Sequence, residues 1–153
     1  DRRYWHEAVG FNYRMTNLQA ALGMAQLEKI ESFLADRQDI LETYQHYLIP
    51  EGLCLNPMLD HCDPVNWMTS VLLPEGMQHA RDDICQTLKQ EGIDTRPFFY
   101  PLTAMPLYEG QDNAMSENIS SRGFNLPTFP GLKEEEIRYI SESLIQTLRR
   151  FTI

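Results

Sequence analysis

VGFNYRMTNLQAALGMAQLEKIE, residues 9–31, decides the fold, because it predicts a helix that begins with almost no charge. The 13 residues from Met15 to Leu27 contain no charged side chain, and they follow a polar and aromatic cluster, Phe11 to Arg14. At about 100° per residue, apolar side chains lie on both sides of this segment, so it must be covered from two directions. We therefore expect part of its cover to come from outside this chain.

The predicted helix continues far beyond its uncharged start. From Thr16 to about Tyr47 the chain has no proline and one glycine, and it is rich in Leu, Ala, Gln and Glu, which predicts one long helix. Thr16 or Asn17 is the expected N-cap. After Leu27 the apolar positions follow steps of three and four residues, so the second half should pack on one body only.

The rest of the chain, residues 49–153, predicts a small α+β layer. Strands or extended chain are predicted at residues 53–55, 66–74 and 94–102. Helices are predicted at residues 79–90 and 133–150. Residues 101–131 are rich in proline and glycine, which predicts loops with a short helix near 114–121. We expect a mostly antiparallel sheet flanked by helices.

Composition limits the classes of partner. The 153 residues include 13 Lys and Arg against 22 Asp and Glu, a formal net charge of -9. Nucleic-acid binding relies on clustered Lys and Arg, so no nucleic-acid partner is expected. The apolar runs fall far short of the roughly 20 residues that span a bilayer and no signal-peptide pattern is present, which predicts no membrane association and a cytoplasmic location.

Cysteine and histidine give little sign of a reactive or metal site. Cys54, Cys62 and Cys85 lack CxxC spacing, which favours reduced thiols; a Cys54–Cys62 bridge, or zinc bound with His61, stays open as a minor alternative. No histidine lies beside Ser or Cys in a nucleophile arrangement, and no phosphate-binding glycine loop is present. We expect no metal site and no self-sufficient catalytic centre.

Two clusters combine arginine with aromatic side chains. In the first, Asn12 and Arg14 precede the helix start, where backbone amides and the helix dipole favour a phosphate. Alternatively, Arg14 caps a carboxylate and Tyr13 belongs to a core. In the second, DTRPFFYPL at 94–102, prolines bracket an extended segment that presents Arg96 and three aromatics. It suits a ligand with phosphate and a flat base or, alternatively, a strand packed on a core.

The chain resembles the C-terminal part of the DegT/DnrJ/StrS sugar aminotransferases in three segments of the same order and spacing: GFNYRMTNLQAALGMAQLEKIESFLADRQDILETY, GIDTRPFFYPLTAMPLY and GFNLPTFPGLKEEEIRYI. The resemblance implies the α+β C-terminal small domain of a fold-type I pyridoxal-phosphate (PLP) enzyme. Residues 1–15 would be an interface loop from the large domain, 16–48 a long connecting helix and 49–153 the small domain.

Within this family the segments are most similar to those of GDP-perosamine synthases, which aminate a GDP-linked 4-keto-6-deoxymannose with glutamate as donor. The resemblance therefore implies a transferase of nitrogenous groups with nucleotide-sugar and glutamate substrates. It also implies a homodimer with shared active sites and a role in polysaccharide synthesis, such as that of O-antigen.

The family's Schiff-base lysine lies upstream of the matching segments. Lys29, Lys89 and Lys133 lack the Ser, Thr and Gly surroundings of that lysine, and the role needs a desolvated amine. We therefore expect no catalytic residue in this chain and no activity from the chain alone.

The resemblance assigns two residues to the cofactor. Asn12 matches the family asparagine that reaches the PLP phosphate of the neighbouring subunit. Arg14 matches an arginine beside it that lines the same interface. Both are binding roles, because proton transfer in the family belongs mainly to the upstream lysine.

Five further residues are assigned to the substrate. Arg96 and Tyr100 match the segment that borders the nucleotide-sugar pocket, and Trp5 and His6 are candidates on the other side of the loop. Thr103 stands where many relatives have histidine. Its hydroxyl can bond to a sugar or phosphate oxygen but cannot carry charge.

Two other functions stay open. A PLP-dependent sugar dehydratase of the same family has histidine in place of the lysine, and that position lies upstream of this chain. The third hypothesis is a non-catalytic dimerisation or ligand-sensing module, assembled through the helix at 16–47.

Overall fold

The computed structural model describes residues 10–11, 13–108 and 113–151, and the chain divides into two compact units between Ser32 and Phe33. None of the described helices is both long enough and apolar enough to cross a membrane.

The first unit contains α1, Asn17–Leu27. Thr16 is its N-cap, as predicted, and forms a capping box with Gln19: the Thr16 N–H donates to Gln19 Oε1 at 2.9 Å, and the Gln19 N–H donates to Thr16 Oγ1 at 3.3 Å. No residue of α1 is buried. Its large apolar side chains are between 60% and 82% exposed: Leu18, Leu22, Met24 and Leu27.

The single long helix predicted over 16–48 is interrupted. Its second part, α2, is Ile30–Leu48, and a turn at Glu28 and Lys29 separates it from α1. At this turn the Lys29 N–H donates to the Gln26 carbonyl at 3.1 Å, a spacing of three residues instead of four. The Ser32 hydroxyl donates to the Lys29 carbonyl at 2.8 Å, and such back-bonding bends helices.

The second unit contains most of α2, a four-stranded sheet and three further α-helices. The strands are β1 (Cys54–Leu55), β2 (Thr69–Leu72), β3 (Arg96–Pro97) and β4 (Gly123–Leu126). The helices are α3 (Arg81–Gln90), α4 (Ala114–Arg122) and α5 (Glu134–Phe151). The strand order is β1-β2-β4-β3, and every pair is antiparallel. The predicted α+β class with a small antiparallel sheet is confirmed.

β4 lies where loop was predicted. Its four residues pair with β2 from Thr69↔Leu126 to Leu72↔Gly123, which places β4 inside the sheet. A four-residue strand directly before Pro127 gives no period-2 pattern long enough to detect. Pairing with β2 and β3 decides the structure of this segment, and local propensity does not.

One apolar core joins the sheet to the helices. Alternate residues of β2 and β4 enter it, including Val71, Phe124 and Leu126. The helices contribute residues of the predicted apolar stripes: Tyr44 and Leu48 of α2, Ile84 and Leu88 of α3, and Ile137, Ile140 and Leu144 of α5. Ile40 of α2 also enters the core, although the predicted stripe did not include it. The opposite face of β2 and β4 therefore carries the remaining side chains, which are polar or half-buried.

Tyr44 ties α2 to the end of β4. Its side chain is fully buried, and its hydroxyl donates to the Pro127 carbonyl at 3.0 Å. Burial, and to a smaller extent the charge of Glu136, raises the pKa of the Tyr44 hydroxyl well above its usual range. The side chain therefore stays a neutral hydrogen-bond donor in the core.

Candidate functional site

The predicted site residues fall into three groups, according to where they lie in the chain. Trp5, His6 and Asn12 lie outside the described residues, so their roles stay predictions. Arg14 belongs to the first unit, whereas Arg96, Tyr100 and Thr103 lie on one segment of the second unit.

Arg14 is exposed and lies two residues before the N-cap of α1. The first N–H groups of an α-helix lack intrahelical acceptors, and the capping box pairs those of Thr16 and Gln19. A guanidinium beside this helix end suits a phosphate. The predicted cofactor role of Arg14 is compatible with this geometry and stays a prediction.

Residues 96 to 103, here called the 96–103 segment, begin with β3 at the edge of the sheet. The Arg96 side chain is 75% exposed, and its Nη2 forms an ion pair with Asp94 Oδ2 at 2.7 Å. Phe99 and Tyr100 are 81% and 72% exposed. This segment therefore presents Arg96, Phe99 and Tyr100 outward, whereas its strand residues Arg96 and Pro97 pair with β4 and Phe98 is half-buried.

Thr103 differs from these exposed residues. It lies in the short 3₁₀ turn Leu102–Ala104, and its Oγ1 is buried without a hydrogen-bond partner among the described residues. Most buried hydroxyls in native proteins are paired, and leaving one unpaired costs about 1–3 kcal/mol. The hydroxyls of Thr69, Ser141 and Thr147 are also buried without a partner among the described residues, so this feature alone does not mark Thr103 as a ligand contact.

A cleft of about 560 Å³ opens beside the 96–103 segment, on the sheet face opposite the core. Its walls are mostly apolar and include Val65, Trp67, Phe98 and Phe99; Trp67 is 60% exposed. A concave, mainly apolar surface with a few fixed polar groups is the usual form of a small-molecule site.

The polar floor of the cleft comes from the two central strands. Ser70 of β2 donates its hydroxyl to Asn125 Oδ1 of β4 at 2.8 Å, and the Ser70 N–H donates to Asn56 Oδ1 at 2.6 Å. Sequence analysis did not predict Trp67, Ser70 or Asn125 as site residues. The signal for Asn125, a polar residue between buried Phe124 and Leu126, becomes visible only once β4 is identified.

The lysines offer no candidate for a covalent cofactor bond. Lys29, Lys89 and Lys133 are all exposed, whereas a Schiff-base lysine needs a desolvated amine. The described residues therefore fit PLP in part: a guanidinium such as that of Arg14 suits a phosphate, whereas none of the three exposed lysines is a desolvated amine in this chain.

No metal centre or disulfide is formed by the described residues. Across 10–11, 13–108 and 113–151, no three His, Cys, Asp or Glu side chains lie close enough to hold a metal ion. Cys54, Cys62 and Cys85 are free thiols. Burial raises the pKa of the Cys85 thiol, which disfavours its reactive thiolate form.

Comparison with known proteins gives a family match over nearly the whole chain. The model of the DegT/DnrJ/EryC1/StrS aminotransferase family matches residues 1–145. GDP-perosamine synthase of Vibrio cholerae is 37% identical over 143 residues, which cover 91% of this chain and 39% of that protein. GDP-perosamine synthase of Caulobacter vibrioides is 40% identical over 153 residues, covering 97% of this chain and 41% of that protein. The chain thus spans about two-fifths of the length of these relatives.

Solved structures share the fold. Helicobacter pylori PseC, an aminotransferase involved in pseudaminic acid biosynthesis, superposes with a TM-score of 0.86 at 21% identity, over 99% of this chain and 43% of PseC. The PLP form of Streptococcus pneumoniae Spr1654 gives a TM-score of 0.83 at 22% identity, over 91% of this chain and 37% of Spr1654.

Replacing the unpaired hydroxyl of Thr103 should stabilise the chain. Thr103→Val exchanges a buried, unsatisfied Oγ1 for a methyl group, so we expect the free energy of unfolding in urea to rise by about 1 kcal/mol. Thr128→Val is the matched control: Thr128 Oγ1 accepts from the Thr69 N–H at 3.0 Å, so this variant should lose stability. A loss of stability in Thr103→Val would show that its hydroxyl is already paired.

Proposed function

Because the chain belongs to the DegT/DnrJ/EryC1/StrS aminotransferase family, we propose that it is the C-terminal small domain of a nucleotide-sugar aminotransferase similar to the GDP-perosamine synthases. The whole enzyme would convert the 4-keto group of a nucleotide-linked 6-deoxy sugar into an amine, with glutamate as donor, for polysaccharide synthesis such as that of O-antigen. One observation carries the proposal: 37% and 40% identity to two GDP-perosamine synthases over 91% and 97% of the chain.

The exposed apolar surface of α1 supports the proposal that a large domain is missing from this chain. Contiguous apolar surface of this kind marks an interaction site in a stable protein. In the proposed arrangement, residues 1–15 form the interface loop, 16–48 form the connecting segment of two helices, and 49–153 form the small domain. The large domain would cover α1, and the enzyme would be a homodimer with shared active sites.

The chain's own residues would bind cofactor and substrate. Asn12 and Arg14 would hold the phosphate of PLP, because a guanidinium at a helix N-terminus provides both charge and hydrogen-bond donors. PLP, when bound, supplies the electron sink needed to move an amino group from donor to sugar. The lysine that anchors it would lie in the large domain.

Arg96, Tyr100 and Thr103 would bind the nucleotide sugar, with Trp5 and His6 as further contacts. Arg96 Nη2 donates to Asp94 Oδ2 at 2.7 Å, and the other N–H groups of the exposed guanidinium would serve a bidentate bond to a diphosphate. Tyr100 supplies a flat exposed ring, and the Thr103 hydroxyl supplies a hydrogen bond. Each of these groups binds or orients substrate.

A sugar dehydratase is the second candidate. The dTDP-4-dehydro-2,6-dideoxy-D-glucose 3-dehydratase of Saccharopolyspora spinosa is 28% identical over 155 residues, or 95% of this chain. Its sequence identity to this chain is lower than that of the two GDP-perosamine synthases, so a dehydratase activity is less well supported. A lysine in the upstream cofactor segment would support the aminotransferase, and a histidine there would support the dehydratase.

The proposed function is tested by restoring the roughly 200 upstream residues that a PLP-binding large domain requires. The whole protein, supplied with PLP, glutamate and GDP-4-keto-6-deoxymannose, should form the amino sugar. The 153-residue chain under the same conditions should form none. A whole protein that eliminates water from the sugar, or that binds no PLP, would contradict the proposal.

Arg96→Lys in the whole protein tests the substrate site. Lysine keeps the charge but loses the planar fork, so we expect KM for the nucleotide sugar to rise about tenfold with little change in kcat, a loss of about 1.4 kcal/mol. Arg138→Lys, at an exposed position of α5, is the control and should leave both constants unchanged. Equal KM values for the two variants would show that Arg96 does not bind the nucleotide sugar.

A further inference from the structure

The junction of α4 and β4 holds the backbone of the 96–103 segment. β3 is the edge strand of the sheet and pairs with β4 only. Besides the β3–β4 pairing, three hydrogen bonds join this junction to the segment: Asn125 Nδ2 donates to the Arg96 carbonyl at 3.3 Å, the Phe98 N–H donates to the Gly123 carbonyl at 3.0 Å, and the Ser120 hydroxyl donates to the Phe99 carbonyl at 2.8 Å. We call Ser120, Gly123 and Asn125 the clamp.

Position 123 needs a glycine because the Phe98 ring lies directly against it; its backbone conformation does not demand glycine. Its φ of -96° and ψ of 144° are extended values that any residue adopts. A Cβ at this position would overlap the Phe98 ring, including its Cγ, so the whole ring would have to move. The absence of a side chain at 123 therefore lets Phe98 lie across β4 and form a wall of the cleft.

The clamp is itself anchored to the core of the unit. Ser120 is 8% exposed, and its carbonyl accepts a hydrogen bond from Arg81 Nη1 of α3 at 2.8 Å. Arg122 is buried; its Nε donates to Asn118 Oδ1 at 3.0 Å, and its Nη1 donates to the Leu73 carbonyl next to β2. The end of α4 is thus fixed to α3 and to β2.

The clamp fixes main chain and leaves side chains exposed. It bonds to the carbonyls of Arg96 and Phe99, while the side chains of Arg96, Phe99 and Tyr100 remain largely exposed. A segment whose backbone is already ordered loses less conformational entropy when its side chains meet a ligand. The geometry is that of a preorganised binding segment.

We propose that Ser120, Gly123 and Asn125 are positioning residues for the nucleotide sugar: they set where Arg96 and Tyr100 meet it. This proposal rests on the proposed function. The clamp acts through the backbone of the 96–103 segment, so its loss should weaken substrate binding and leave the turnover of bound substrate unchanged.

Ser120→Ala is the test, because it removes one hydroxyl from a helix and adds no bulk. In the 153-residue chain, we expect the amide hydrogen of Phe98, which is bonded to the Gly123 carbonyl, to exchange about fivefold faster, since the loss of the neighbouring hydrogen bond favours local opening. In the whole enzyme we expect KM for the nucleotide sugar to rise about fivefold at unchanged kcat. Ser120→Thr, which keeps the hydroxyl, should restore both values.

Ser121→Ala is the matched control. The Ser121 hydroxyl donates to the Asn118 carbonyl within α4 and does not reach the 96–103 segment, so neither exchange nor KM should change. Gly123→Ala is a second variant, which displaces the Phe98 ring and should also raise KM.

Three results would contradict the proposed role of the clamp. Unchanged exchange in Ser120→Ala would show that its hydroxyl does not hold the segment. Faster exchange with unchanged KM would show that the clamp has no positioning role, and a rise in KM that Ser120→Thr fails to reverse would assign the effect to α4 in general. If the wild-type whole protein has no aminotransferase activity, the proposed function fails, and the exchange measurement alone decides whether the clamp holds the segment.

Discussion

The position of β4 between β2 and β3 is the constraint on which the rest of the second unit depends. Successive side chains of a strand point to opposite faces of the sheet, so neighbouring residues of β4 meet different surroundings. Phe124 and Leu126 enter the core shared with α2, α3 and α5, whereas Asn125 faces the cleft and bonds to Ser70. Gly123 leaves room for Phe98. One short strand therefore joins the hydrophobic core to the candidate site.

The two faces of the sheet have different chemistry as a result. The core face is filled by apolar side chains that are almost completely buried, and Tyr44 contributes a neutral hydroxyl at its margin. The open face has paired polar groups at its floor and exposed aromatics at its walls. Exposed aromatic and apolar side chains of this kind, which α1 of the first unit also carries, are more stable when further protein or a ligand covers them than in contact with water. This agrees with a chain that spans about two-fifths of its relatives.

Sequence patterns predicted the parts of the fold that rest on local rules. The stripes of α3 and α5, the acidic start and basic end of α5, and the capping residue Thr16 all follow from periodicity and helix-end chemistry. β4 and the turn at Glu28 and Lys29 could not be predicted, because strand pairing and three-residue hydrogen bonds leave no periodic signal.

The candidate site was predictable only where a motif carried it. Resemblance to the family singled out Arg96, Tyr100 and Thr103, and the structure places all three on the 96–103 segment. It could not reveal that the Thr103 hydroxyl is buried and unpaired, nor that Ser120 and Asn125 bond to the segment, because these facts depend on tertiary contacts between residues distant in sequence. The roles of Asn12, Trp5 and His6 stay predictions from the resemblance.

In the proposed aminotransferase, the open sheet face and α1 of this chain would both meet the rest of the protein. Amide hydrogen exchange of the 153-residue chain, compared residue by residue with the same residues in the whole protein, tests this arrangement most directly. Slower exchange in the whole protein at α1 and at the 96–103 segment, with no change at α3 and α5, is the predicted result. Equal exchange in both proteins, or protection confined to α3 and α5, would contradict the account.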